Sequence, residues 1–161
     1  MIRYATKEDI PRIAEILVFG KRMAYRHIFR NDDYSFNQLR VLDVMQEYLD
    51  DPQRLANTLL YDDGIVKGMI CMRSVTERPE AVELCDFYVE PAFQDLGIGR
   101  KLIDRFICQA CSLGKKEIFL WVIKDNHSAR SFYDRNGFMA DAEEKPIEGT
   151  LILEKKYTRN L

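Results

Sequence analysis

The sequence predicts an α/β fold in the broad α+β sense: a mixed, mostly antiparallel central sheet flanked by helices. Three observations carry this expectation. Short apolar runs between Leu55 and Val89, broken by an Asp63-Gly64 turn signal, have the pattern of an antiparallel meander. Apolar residues recur at helical spacing before that run and again after Pro91. A strand, a helix and further strands then succeed one another to the end of the chain, which mixes the strand directions.

Each element has a local reason. Ile2 to Ala5 reads as a short strand, and Thr6, assisted by Asp9, caps a helix with Ile10, Ile13 and Leu17 on one stripe and Pro11 in its first turn. Tyr25 to Tyr34 reads as irregular. A second helix is expected from about Ser35 to Leu49, on the recurrence of Phe36, Leu39, Leu42, Met45 and Leu49, until Asp51-Pro52 stops it. Leu55 to Tyr61 and Ile65 to Val75 make a hairpin about Asp63-Gly64, and Val82 to Val89 is the next strand, ending at Pro91. Leu96 to Leu113 comes next as a helix with Leu102, Ile103, Phe106, Ile107 and Ala110 buried, closed by Gly114. Glu117 to Ile123 is a strand and Asn126 to Arg135 a helix that Asn136-Gly137 ends. The last strands are expected around Phe138 to Ala142 and Thr150 to Tyr157, with an exposed sheet edge there that makes a homodimer reasonable.

Composition narrows the function. At 161 residues, 47% apolar, the chain can bury a core without disulfides or a structural metal, and with no repeat or linker it reads as a single domain, 1–161. No targeting segment opens it, and Ile13 to Phe19, its longest nearly apolar stretch, contains Glu15, so a cytoplasmic protein without a membrane partner is expected. A net charge of -2 gives no reason to expect nucleic acid. Cys108 and Cys111 lie mid-helix, away from the helix start or cation that favours a thiolate, and read as small buried apolar residues. Cys71, Cys85, His27 and His127 lack ligand spacing, so no metal is expected.

The informative segment is Phe87-Tyr88-Val89-Glu90-Pro91-Ala92-Phe93-Gln94-Asp95-Leu96-Gly97-Ile98-Gly99-Arg100, a glycine-bearing loop between a strand and a helix. Free N–H groups and the dipole at a helix start attract an anion, and glycine lets it approach. No G-x-x-x-x-G-K-[ST] is present, nor the third glycine of a dinucleotide fingerprint.

Two motifs resemble those of the GNAT superfamily of acyl-CoA-dependent N-acyltransferases. Gln94, Gly97 and Gly99 match its Q/R-x-x-G-x-G/A pyrophosphate loop, and Asn126-x-x-Ala129-x-x-Phe132-Tyr133-x-x-x-Gly137-Phe138 is similar to its N-x-x-A-x-x-[FLY]-Y-x-x-x-G-F signature. Arg3-x-Ala5-Thr6-x-x-Asp9 looks like the family's opening, so the likeness covers nearly the whole chain and is weakest from Phe19 to Asp51. The resemblance implies acetyl-CoA as cosubstrate, its pyrophosphate on N–H groups of Asp95, Leu96, Gly97, Ile98, Gly99 and Arg100, and its pantetheine along Phe87, Tyr88 and Val89. Asn126 would help to hold it. Transfer is to an amine, a small molecule or a protein amino group, by direct attack in a ternary complex; a non-catalytic acyl-CoA-binding module is the rival reading.

Acetyl transfer needs two proton movements. Tyr133 matches the family's general acid, and a phenol of pKa about 10 can protonate a thiolate of pKa about 8.5. Two acids compete as base: Glu83, eleven positions before Gln94, where histone-type relatives carry theirs, and Asp86. Strand alternation sets these on opposite faces unless a bulge intervenes. Relatives that acetylate ribosomal protein amino termini carry a glutamate where this chain has Trp121, which argues against that substrate. His27, Tyr25, Phe29 and Tyr34 lie in the variable region that walls the acceptor site in the family.

Overall fold

Polar groups at the amino terminus start the fold as their spacing dictates. In the computed structural model, which describes residues 1–161, Asp9 accepts from the Thr6 N–H at 2.8 Å and the Thr6 hydroxyl at 2.9 Å. This box leads from strand β1 (Ile2–Tyr4) into helix α1 (Ile10–Phe29). Arg3 donates twice to the same carboxylate at 2.7 Å, and with the Thr6 bonds this lowers its pKa to about 2.

The variable region departs from the expected pattern. Helix α1 runs on through Tyr25, so the first half of the segment read as irregular is helical. The helix expected from Ser35 to Leu49 divides into a π-turn at Tyr34–Gln38 and α2 (Val41–Asp50), with Leu39 and Arg40 extended between them. Arg22 supplies a reason, since it donates to the Ser35 carbonyl at 2.7 Å and the Leu39 carbonyl at 3.1 Å, acceptors a continuous helix would use. Asp51 then caps a short helix, α3 (Pro52–Ala56), accepting from the Arg54 N–H at 2.9 Å. That helix takes the first residues of the expected hairpin strand.

From there the order is β2 (Thr58–Asp62), β3 (Val66–Ser74), β4 (Ala81–Val89), α4 (Ile98–Ser112), β5 (Glu117–Ile123), α5 (His127–Arg135), β6 (Met139–Pro146) and β7 (Leu153–Asn160). Seven strands form one sheet, β1-β2-β3-β4-β5-β7-β6, in which only β4 and β5 are parallel neighbours. The mixed, mostly antiparallel sheet flanked by helices is the predicted class. Alternation along each strand feeds two cores. On one face Leu59, Ile70, Leu84 and Leu120 pack with Leu102 and Phe106 of α4 and Tyr133 of α5. On the other, Leu60, Met69 and Cys71 pack with Ile13 and Leu17 of α1 and Tyr48 of α2.

Strand β4 is irregular in two places. Cys71 pairs with Asp86 but Met72 with Leu84, so Cys85 is an extra, bulged residue. Beyond it, β4 and β5 part: their pairing covers only Ala81–Glu117, Val82–Ile118 and Glu83–Phe119. Cys108 and Cys111 are exposed, which corrects their reading as buried: the inward residues of α4 are Ile98, Leu102, Ile103, Phe106, Gln109 and Ala110, leaving both thiols on the water side. No helix is long and apolar enough to cross a membrane.

Candidate active site

The separation of β4 from β5 opens a cleft of about 840 Å³ that passes from the α4 and α5 face of the sheet to the α1 face. At the α4 end the backbone is shaped for an anion. Asp95 and Gly97 adopt left-handed conformations, φ 61° and 75°, and swing the chain into the helix. The first backbone bond of this helix runs from the Lys101 N–H to the Gly97 carbonyl at 3.2 Å, so the N–H groups of Ile98, Gly99 and Arg100 face outward from its start. Gln94, Asp95, Gly97, Ile98, Gly99 and Arg100 line the cleft, while Leu96 is exposed outside it. Arg100 is tied to Asp104 by bonds of 2.9 and 3.0 Å.

Phe87, Tyr88 and Val89 line the middle of the cleft on the β4 side, Trp121 and Val122 on the β5 side. Because sheet pairing to β5 has ended, this stretch of β4 has backbone groups on one side that no strand pairs, although Gln94 Nε2 donates to the Val89 carbonyl at 3.3 Å. Tyr133 also lines the cleft and is 8% exposed, its ring packed on Phe132 and Phe138 at centroid distances of 5.7 Å. Burial raises its phenol pKa, with the proximity of the Tyr25 phenol a lesser cause. Asn126 is present too, but its Oδ1 accepts from the Ala129 N–H at 3.1 Å and so caps α5.

The sequence motifs leave the α1 wall unassigned. Tyr25 and Tyr88 both reach the cleft, and their hydroxyls are 3.0 Å apart, one donating to the other. Burial raises both phenols above their ordinary value, so each remains a neutral O–H at physiological pH. Gly20 makes this contact possible, since a Cβ there would stand 2.7 Å from Tyr88 Cδ1. A glycine inside a helical stripe is the one sequence signal that marks the approach. Gly20→Ala is therefore expected to displace the Tyr88 ring, to lower stability by roughly 1–3 kcal/mol as overpacking does, and to slow turnover. Urea unfolding beside a rate assay checks it, and a variant as stable as the parent refutes the contact.

Neither candidate base lies free in the cleft. The bulge at Cys85 restores the phase of the strand, so Glu83 and Asp86 fall on the same face, the one toward α1. Asp86 is 7% exposed and receives Arg54 at 2.8 Å, with the Arg54 guanidinium over the Tyr48 ring at 4.4 Å. Glu83 is paired with Arg73 at 3.2 Å, where β4 and β5 are still joined, and it does not line the cleft. The fold therefore brings together an anion cradle, a free strand edge and three phenols, and leaves Glu83 apart.

Comparison with known proteins agrees with this geometry. The sequence profile of the acetyltransferase (GNAT) family matches residues 22–138. An uncharacterized N-acetyltransferase of Methanocaldococcus jannaschii is 35% identical over 80 residues; these are 50% of this chain and span only 34% of that relative. One from Archaeoglobus fulgidus is 27% identical over 136 residues, 82% of this chain and 88% of that protein. In three dimensions the chain is similar to the PaiA N-acetyltransferase of Thermoplasma acidophilum, solved in complex with coenzyme A: TM-score 0.76, 19% identity, 100% of this chain and 98% of that one.

Proposed function

This chain belongs to the acetyltransferase (GNAT) family, and from that premise we propose that residues 1–161 act as one domain that transfers the acetyl group of acetyl-CoA to a primary amine, by direct attack in a ternary complex. The observation that carries the proposal is the parted β4–β5 seam, with a helix start at one end and the Tyr133 phenol within it. Coenzyme A bound by the PaiA structure supports the choice of donor.

In this reading the pyrophosphate rests on the N–H groups at the start of α4, and the pantetheine amides pair with the free side of Phe87, Tyr88 and Val89. A β4 N–H at that edge polarises the thioester carbonyl and stabilises the oxyanion of the tetrahedral intermediate, an interaction of about 3 kcal/mol in comparable sites. The amine enters from the α1 side as its free base, meets the Tyr25–Tyr88 hydroxyl pair and attacks the thioester carbon; as the C–N bond forms and the C–S bond breaks, the proton its nitrogen sheds passes to solvent, from which Tyr133 recovers the one it donates. Tyr133 gives its proton to the departing thiolate, and burial helps by keeping the phenol protonated until then. Glu83 and Asp86 receive no base role, because both carboxylates are held by arginines.

Isothermal calorimetry with acetyl-CoA should detect one site per chain, and a thiol-release assay over a panel of amines should find at least one acetylated acceptor. An absence of binding heat removes the donor, and with it the proposal.

A further inference from the structure

The acceptor end of the cleft has a charge of its own. Beside it, sharing Met23 and His27 with the cleft wall, lies a groove of about 490 Å³ along the last turns of α1, lined by Arg22, Met23, Arg26, His27, Arg30 and Asp32. Its one carboxylate, Asp32, is already taken by Arg26 at 2.8 and 3.0 Å. Arg22 directs its bonds to two backbone carbonyls rather than to a carboxylate, and Arg30, left-handed at φ 50°, ends the helix exposed. The groove is thus left with surplus positive charge. It lies on the α1 face, whereas the helix start that suits the pyrophosphate packs on the opposite face of the sheet.

We propose that the acceptor is an anionic amine, a primary amine carrying a carboxylate or phosphate, whose anion is held by the Arg22, Arg26 and Arg30 groove while its nitrogen meets the Tyr25–Tyr88 hydroxyls. This deepens the acetyltransferase reading and rests on it. A polyamine is the opposite case: its extra ammonium groups would face the arginines of the groove. Cations also stabilise a helix carboxyl end without any ligand, but that role alone predicts no discrimination among acceptors.

The test compares matched probes with the whole protein and saturating acetyl-CoA: β-alanine against β-alaninamide for a carboxylate, phosphoethanolamine against ethanolamine for a phosphate, and spermidine as the polycation. The anionic member of at least one pair should be preferred in kcat/KM by about fivefold or more, a ratio that shrinks in 1 M salt; which pair responds identifies the anion. Arg30→Gln and Arg30→Glu, at an exposed position, should lower that ratio stepwise and leave acetyl-CoA affinity unchanged. Preference for spermidine or the neutral members, no turnover of either anionic probe while acetyl-CoA binds, or a ratio indifferent to Arg30 overturns the proposal. So does a weakened grip on coenzyme A relative to dephospho-coenzyme A in the Arg30 variants, which would give the groove to the coenzyme. Failure of acetyl-CoA to bind the parent protein is a different result, since it strikes the acetyltransferase reading itself.

Discussion

Tyr133→Phe is expected to lower kcat by about tenfold or more while the dissociation constant for acetyl-CoA stays where it was. The substitution removes one oxygen and keeps a ring that packs on Phe132, Phe138, Phe87 and Tyr157 at centroid distances from 5.7 to 6.5 Å. Folding stability should therefore barely change, and the loss should fall on the step in which the thiolate leaves. The pH dependence adds a second readout. Because burial raises the phenol pKa, the acid form persists above the ordinary phenol range, so Tyr133 should impose no fall in kcat at moderately alkaline pH. Single-turnover rates with calorimetric binding measure both, and wild-type turnover in the variant would strip Tyr133 of its assigned role.

Removing Asp86 should act on stability instead. Asp86→Ala is expected to destabilise the fold by about 3 kcal/mol, the range for leaving one partner of a buried ion pair alone. Arg54, with a side chain 18% exposed, would keep Glu47 at 3.1 Å but lose its nearest partner. Arg54→Met combined with Asp86→Ala should recover much of the loss, because the stranded charge is then gone too. Equilibrium urea unfolding of the parent and these two variants decides it. An Asp86→Ala protein as stable as the parent, yet slow in turnover, would make Asp86 a candidate base again.

How much of this was legible in the sequence depends on how local the cause is. The α4 stripe and the glycine loop before it are set by neighbours in the chain, and Leu102, Ile103, Phe106 and Ala110 are buried as their spacing predicts, while Ile107, expected with them, is only partly buried. The face of Asp86 is not local: it turns on one bulged residue, Cys85, that only the pairing with Cys71 and Met72 reveals. Strand parity alone therefore misjudges the relation between Glu83 and Asp86. The variable region fails for a similar reason. Arg22 draws off carbonyls near Ser35 and Leu39 from thirteen and seventeen positions away, and no periodicity encodes that. The same remoteness hides the Tyr25–Tyr88 pair, sixty-three positions apart, and its dependence on Gly20.

Asn126 has a structural duty of its own. Since its side-chain oxygen ties down the opening turn of α5, the helix that carries Tyr133, any truncation there loosens the scaffold of the proposed acid whether or not the coenzyme ever touches the amide. A damaged phenotype at this position is thus ambiguous by construction, and a contact with the donor would have to be argued from affinity measured apart from rate.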